Sequence, residues 1–563
     1  MNQIKEVLFL RLSVFSFIVF LFITPQLLMA AQSVNEPFTF ITREGDKLME
    51  NGKEFRFISF NCPNLHINED PTWHRVTPYE QEDAIKTIKA MGGRVVRIYV
   101  LSVKGGERQR AVGGGPNHIN GPGQYNDTLF QDFDMMLALL NKHKIRVIIP
   151  FLDEWSYFGG KKEFAKLYGK SSLYDPVATQ GYKDLIKYVL TRKNTITGVE
   201  YRNDPAIMAW ETGNEMYGEP SGWLHDIATY IKSLDSNHLV ADGNCSVRAT
   251  GTSPNVNDPA VDLLTDHIYN AGGADAHVSR LKKDREMSKG KKPFYLGEFD
   301  PRPATSVAKA VFEEIINNGS AGAMNWSLRY HKATGGFYDH LNYDNLYFQY
   351  PYHDCTTITR TYGYKIQGLE EPPMENPEPP YLLPISNPAT LITWRGSVGA
   401  NMYTIERAAS SDGPWTVVSS TATDNINKPS FKDAQGTSSS YYRVKAKYSF
   451  NSVLKESGYS NIRKVGDNSM VGGEVVLPVI TPKKVNANLL DFNGEFKITC
   501  YNLNGKMVFS NVISSKGSVY NAIGLSSQKA GTVASGLHVY QIEKLLNNRT
   551  VSLHHIKGMN TVR

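Results

Sequence analysis

Residues 146–160 read RVIIPFLDEWSYFGG: a short apolar run, then polar and aromatic residues, then a glycine pair. The same kind of run recurs at FRFISFN (55–61), RVVRIYV (94–100), AIMAWET (206–212), HLVADGN (238–244), LLTDHIY (263–269), PFYLGEF (293–299) and AGAMNWS (321–327). Between most of them lie stretches such as PYEQEDAIKTIKAMG, DTLFQDFDMMLALLNKHK and ATSVAKAVFEEIINNG, whose apolar residues fall at three- and four-residue spacing. That spacing predicts amphipathic helices between strands. Eight strand runs with intervening helices predict an α/β fold over residues 36–365, a closed parallel (β/α)8 TIM barrel whose chemistry sits at the strand C-termini. A doubly wound open sheet is the alternative, weakened because no Gly-rich phosphate turn follows the first run.

The rest of the chain divides by composition. With 563 residues, 41% hydrophobic and 21% charged, it has the material for real cores, and at ~150 residues per domain it holds about two to four of them. Lys5 and Arg11 flank an apolar run from Leu12 to Met29 that ends in Ala30-Ala31-Gln32. This predicts a cleaved signal peptide over residues 1–31, hence a secreted or cell-surface protein with no membrane association after cleavage. A retained anchor is the competing reading, because the run approaches the length of a spanning helix. EEPPMENPEPP (370–380) reads as a stiff extended linker. Residues 381–464 alternate apolar and polar at period two in ATLITWRG, NMYTIERA, TVVSS and YYRVKAKY. That pattern resembles a fibronectin type III β-sandwich and is read as a spacer. Residues 485–563 form another small β unit, with a hairpin expected around Asn504-Gly505. It resembles the C-terminal sorting domain of the type IX secretion system, which makes that machinery a possible partner.

Charge and cysteine narrow the function. Formal net charge is +6, but the signal and the tail from 485 account for nearly all of it, leaving the remainder close to neutral. This excludes a basic nucleic-acid surface and favours an uncharged ligand. Cys62, Cys245, Cys355 and Cys500 are too scattered for a zinc ribbon, a redox dithiol or a disulfide scaffold. Neither an HExxH helix nor a GxSxG elbow is present. No metal and no cofactor is expected, and a monomer is.

The strand ends carry a coherent set instead. Arg97 and Tyr99 close the second run, Asp153-Glu154-Trp155 the third, Asn214-Glu215 the fourth, His267 and Tyr269 the sixth, Glu298 the seventh and Trp326 the eighth. Strands four and seven face each other across a barrel mouth, so Glu215 and Glu298 can address one substrate atom from two sides. Acetal cleavage needs such a pair, one carboxyl protonated for the leaving oxygen and one ionised for the anomeric carbon. Asn214 is placed to bind the neighbouring sugar hydroxyl. Arg97 and Tyr269 are expected to hold Glu298 ionised by lowering its pKa. Trp326 offers a flat face for a pyranose ring.

WETGNE (210–215), DHIY (266–269), LGEF (296–299) and Trp326 resemble glycoside hydrolase family 5, a retaining barrel family. LTRKNTITGVEYRNDPAIMAWETGNE (190–215) is similar to the matching stretch of its endo-β-1,4-mannanases, and DEWSYFGG (153–160) resembles a mannanase motif. The likeness covers about residues 36–350. It implies Glu215 as acid/base and Glu298 as nucleophile, with Arg97, Asn214, His267, Tyr269 and Trp326 at the family's other active-site positions. Asp153, Glu154 and Trp155 are expected to bind substrate. The expected partner is a β-mannan polysaccharide or oligosaccharide. Departures lie where many mannanases have Asn-Asn-Trp against Asp153-Glu154-Trp155, Pro against Met216, and in NWSLRYHKATGGFYDH (325–340). They leave open an exo-β-mannosidase, a β-glucanase or cellulase of the same family, or a non-catalytic glycan-binding barrel. The loop VGGGPNHINGPG (112–123) is expected to roof one end of the cleft.

Overall fold

The structure is a computed structural model that describes residues 37–243, 254–269, 272–301, 305–340, 348–386, 391–425, 429–450 and 453–467, and the strand backbones of 494–502, 507–515, 536–546 and 549–560. The expected signal peptide, residues 1–31, and Cys245 lie outside the described residues.

All eight apolar runs are strands: β1 (Phe57–Asn61), β2 (Val95–Arg97), β3 (Arg146–Pro150), β4 (Ile207–Glu211), β5 (Leu239–Ala241), β6 (Leu264–Ile268), β7 (Phe294–Phe299) and β8 (Gly322–Asn325). Every residue in them is buried, which is why they read as continuous apolar runs rather than alternating ones. Neighbours pair in parallel around the ring, and β8 returns to β1. A parallel bridge between Ala241 and Leu263 joins β5 to the start of β6 and closes the circle. The connections carry α1 (Pro78–Ala90), α2 (Asp127–His143), α3 (Pro176–Thr191), α4 (Trp223–Leu234), α5 (Ala274–Ser288), α6 (Thr305–Asn318) and α7 (Asp354–Lys365). After β5 the described residues hold only a short 3-10 turn, Pro254–Asn257. The architecture is that of a (β/α)8 barrel, with one helical connection reduced.

The helices begin where capping chemistry places them. Thr77 and Glu80 form a capping box with Pro78 in the first turn of α1, and the Asn126 side chain caps α2. Leu129, Phe130, Phe133, Met136, Leu137 and Leu140 of α2 are buried at three- and four-residue intervals. Each such side chain contributes roughly 1.5–3 kcal/mol by leaving water.

The barrel floor is filled. Three short antiparallel strands within residues 42–54 carry Leu48 into a cluster with Ile41, Phe55, Val95, Ile148, Met208, Tyr295 and Met324. Glu50 pairs with Arg94 and Arg146 at the start of β2 and β3.

Residues 381–464, expected as a spacer, are in contact with the barrel. They form a two-stranded and a five-stranded antiparallel sheet around a core of Trp394, Tyr403, Ile405, Tyr442 and Val444. This unit packs on the barrel. Tyr79 of α1 donates to the Gly396 carbonyl (3.2 Å), Arg395 donates to the Ala333 carbonyl (3.0 Å), and Lys86 pairs with Glu378 (2.8 Å). The 370–380 segment has no helix or strand, as its prolines require, yet Glu371 pairs with Arg360 of α7 (2.8 Å). Nothing local in the sequence signals this docking. Further on, strands Gly494–Asn502, Met507–Ser515, Gly536–Leu546 and Arg549–Asn560 form one antiparallel sheet. Residues 503–506, with the Asn504-Gly505 turn, lie outside the described residues.

His331 sits at the junction, fully buried, with Nδ1 2.9 Å from Asp83 and Nε2 3.2 Å from Asp424. Burial opposes a charge there, but the two carboxylates outweigh it and lift the imidazole pKa to about 10. A raised folded-state pKa stabilises fully below the ordinary 6.5 and progressively less as pH climbs to about 10. The unfolding free-energy gap between wild type and His331→Gln is therefore expected to narrow across that window. Chemical unfolding at stepped pH measures it, and a constant gap would contradict the charged state.

Candidate active site

Arg97, at the end of β2, organises the mouth. Its guanidinium is completely buried and donates in five directions. Nε and Nη2 reach both oxygens of Glu211 (2.7 and 3.0 Å), Nη2 also reaches Asn214 Oδ1 (2.7 Å), and Nη1 reaches Glu298 Oε1 (2.7 Å) and Asn61 Oδ1 (3.2 Å). Such forked, charge-assisted bonds fix orientation as well as charge. Asn61 is itself held by donating to the Gly297 carbonyl (2.8 Å).

The two candidate glutamates meet through a histidine. His267 Nδ1 is 2.8 Å from Glu215 Oε1 and 3.5 Å from Glu298 Oε2. One oxygen from each glutamate and a ring nitrogen of His267 lie within 4.8 Å of one another. The ring gets that close because residue 297 is glycine: a Cβ there would fall 2.3 Å from Thr265 Oγ1 and 2.8 Å from His267 Nε2. Tyr269 donates its hydroxyl to Glu298 Oε2 (2.7 Å), and the Trp155 indole donates to Glu215 Oε2 (2.8 Å). Glu215 takes a left-handed backbone, φ 53°, a conformation that costs a non-glycine residue on the order of 1–3 kcal/mol and concentrates at functional sites.

Electrostatics corrects one expectation. Burial pushes the Glu298 carboxyl above its ordinary value, even though His267, Arg97 and Tyr269 pull the other way and only Glu215 adds to the rise. The predicted partners are all present, but desolvation is the larger effect.

Asp153 and Glu154, expected to bind substrate, both have protein partners. Asp153 is fully buried and accepts from Tyr99 Oη (2.7 Å) and from Asn214 Nδ2 (2.9 Å). Burial drives its pKa up to about 7 against those hydrogen bonds. With Arg97 on Oδ1 and Asp153 on Nδ2, the Asn214 amide has one orientation. Glu154 pairs with Lys161 (2.5 Å) and accepts from the Tyr217 backbone N–H (3.1 Å), so it braces the chain after Glu215. Lys161 and Tyr174 donate to the Tyr217 carbonyl from the other side (2.7 and 3.0 Å). Trp155 and Tyr217, 48% and 37% exposed, meet edge to face beside Glu215.

Trp326 packs with Tyr99, Trp73, Phe158 and Tyr157, its ring centroid 5.6 Å from that of Tyr99. Val112, from the loop expected to roof the cleft, joins the same cluster. Glu211, Asn61 and Tyr217 were not foreseen as site residues. Glu211 had a visible signal, lying at the C-terminal end of an all-buried strand where a lone carboxylate needs a cation.

Among the described residues two triads bring metal-ligand atoms together, Glu215–His267–Glu298 and Glu69–Asp70–His340. In each, guanidinium groups already supply positive charge: Arg97 on Glu298, Arg108 on Asp70 and Arg329 on Glu69.

The barrel mouth thus joins two glutamates through a histidine, over a buried arginine. Residues 38–173 and 161–292 match the family described as GH family 5 beta-mannosidase-like. The chain is 33% identical over 210 residues to mannan endo-1,4-beta-mannosidase 1 of Solanum lycopersicum, covering 34% of this chain and 50% of that protein. It is 37% identical over 178 residues to mannan endo-1,4-beta-mannosidase 1 of Oryza sativa subsp. japonica, covering 28% and 41%. The chain thus spans about half the length of the curated relatives it matches. The endo-beta-1,4-mannanase from Thermotoga petrophila shares the fold, with a TM-score of 0.50 at 20% identity over 74% of this chain and 99% of that one.

Replacing Arg97 by Met would leave Glu211 and Glu298 buried without their cation. The variant is expected to lose about 3–5 kcal/mol of stability, the usual cost of breaking a buried ion pair from one side. Denaturant unfolding of the full chain measures this, and a loss under about 1 kcal/mol, the range of exposed pairs, would overturn the ledger.

Proposed function

We propose that this protein is a retaining glycoside hydrolase that cleaves β-1,4-mannosidic linkages within mannan, glucomannan or galactomannan chains. The observation that carries the reading is the spacing of Glu215 and Glu298 oxygens, within 4.8 Å through His267. Retaining enzymes set their carboxyl groups ~5–5.5 Å apart and inverting ones ~6.5–9.5 Å, the extra room being for water. The match to mannanase relatives supports the choice of sugar.

In the first step Glu298 attacks the anomeric carbon; a C–O ester bond forms as the glycosidic C–O bond breaks, and Glu215 passes its proton to the departing oxygen. In the second, Glu215 takes a proton from water, whose oxygen displaces Glu298 and restores the original anomeric configuration. Arg97 and Tyr269 aim the two oxygens of Glu298 and stabilise its charge when the ester is hydrolysed. The second hydrogen of Asn214 Nδ2 is left for the hydroxyl beside the reacting carbon. Trp326 floors the sugar that forms the ester. Trp155 and Tyr217, on the Glu215 side, take the leaving sugar. Secretion, the fibronectin type III character of residues 381–464 and a type IX sorting role for residues 485–563 belong to the same proposal.

Glu298→Ala is expected to reduce hydrolysis of soluble β-mannan to background with folding intact, and Glu215→Ala to lower it by about 10²–10⁴, the usual worth of general acid–base catalysis. Reducing-sugar release over a panel of plant β-glycans checks both. Near-normal activity in either variant sinks the assignment, and release from glucans alone sinks the mannan reading. Because the nucleophile must be ionised and burial raises its pKa, the acid limb of kcat/KM is expected above pH 4.5, the ordinary glutamate value; a limb below it would place the nucleophile elsewhere.

Tyr217→Ala is expected to raise KM for mannohexaose by roughly tenfold, the worth of one good aromatic contact, while an aryl mannoside with a small leaving group is affected far less. Equal effects on both substrates would remove Tyr217 from the leaving-sugar side. Single mannose units as the sole early product would indicate exo action.

A further inference from the structure

The loop after β8 belongs to two parts of the molecule at once. Trp326 begins it at the barrel mouth. Five residues on, His331 is clamped between Asp83 of α1 and Asp424 of the β unit. The residues between are all buried and tied down in sequence. Leu328 N–H donates to the Asn61 carbonyl (2.8 Å), Arg329 pairs with Glu69 (2.9 Å) and donates to Ser327 Oγ (3.0 Å), and Tyr330 Oη donates to the Asn64 carbonyl (2.6 Å).

Asp424 is completely buried and accepts two further hydroxyls, Tyr403 Oη from its own core (2.5 Å) and Tyr352 Oη from the segment leading into α7 (2.6 Å). The fit around the pair is tight. A Cβ on Gly396 would fall 2.3 Å from both the His331 ring and Asp424 Oδ2. On the loop itself, a Cβ on Gly335 would fall 2.3 Å from Thr393, and one on Gly336 would fall 2.5 Å from Pro429. A carboxylate buried this deeply is costly unless paired. Its cation is supplied by the barrel, so each part completes the other's buried charge.

We propose that Asp424 is a positioning residue for the barrel mouth: by holding His331 it fixes the loop that carries Trp326, making the β unit part of the catalytic body. The catalytic half of this inference rests on the proposed hydrolase function, and the loop-ordering half does not.

The test uses the full chain with Asp424→Asn, against Asp433→Asn as control. Asp433 holds Arg407 (2.6 Å) and Tyr442 (2.9 Å) inside the β unit and touches neither His331 nor the loop in these contacts. Two readouts are taken well below melting: amide hydrogen exchange across residues 326–340, and kcat and KM on soluble β-mannan. Asp424→Asn is expected to speed exchange in that segment and lower kcat/KM, each on the order of tenfold, while Asp433→Asn changes neither. Tyr352→Phe, which keeps the Asp424 charge and removes one donor, is expected to shift both in the same direction by less. If Asp424→Asn only lowers the melting temperature and otherwise matches Asp433→Asn, the contact is mere adhesion and the proposal fails. If Asp424→Asn does not fold, Tyr352→Phe decides by the same two readouts, an unchanged exchange rate overturning the proposal. A wild-type chain that cleaves no β-glycan would refute the function while exchange still judged the positioning.

Discussion

One buried cation holds the mouth of this barrel together. Arg97 comes from β2, yet it binds side chains carried by β1, β4 and β7 and by the turn after β4. Take that charge away and Glu211 and Glu298 become a buried pair without the arginine's charge. The Asn214 amide would lose one of its two fixed partners. The geometry between Glu215 and Glu298 is therefore set as much by what lies beneath them as by the strands that carry them. Glu211 matters for the same reason: it takes the Nε and Nη2 side of the guanidinium and leaves Nη1 aimed at Glu298. The rise in the Glu298 pKa follows from burial, with Glu215 adding to it.

Much of this was legible in the chain. The eight strands fall within a few residues of the apolar runs because a parallel sheet covered on both faces has no polar alternation to blur its edges. The strand-end polar residues point at a common mouth because parallel strands deliver their C-termini to one side. What could not be read is depth and long-range pairing. Asp153 looks like any polar residue after a strand, and only the fold shows that Tyr99 and Asn214 consume its oxygens. Glu154 beside it is spent on Lys161 and the Tyr217 backbone. His331, Asp83 and Asp424 lie on a loop, a helix and a sheet edge whose local patterns say nothing about one another. The Pro/Glu segment at 370–380 does have the composition of a tether, but composition reports stiffness and not where the next unit comes to rest.

The two sides of the glutamate pair differ in character. Towards Trp326 the walls are packed aromatic rings backed by buried ion pairs. Towards Trp155 the rings are open to solvent, braced from behind by Glu154, Lys161 and Tyr174. A packed wall on one side and an accessible shelf on the other suit the two displacements of the proposed mechanism.

The filled floor under Ile41, Leu48 and Phe55 adds a kinetic consequence. Under the proposed mechanism, a base filled in this way leaves the open mouth as the route by which water reaches the ester, through the space the departing sugar vacates. A second oligosaccharide lingering on that shelf would compete for the same opening. The partition between hydrolysis and sugar-to-sugar transfer would then depend on how quickly the shelf empties, with traffic at one doorway governing the product.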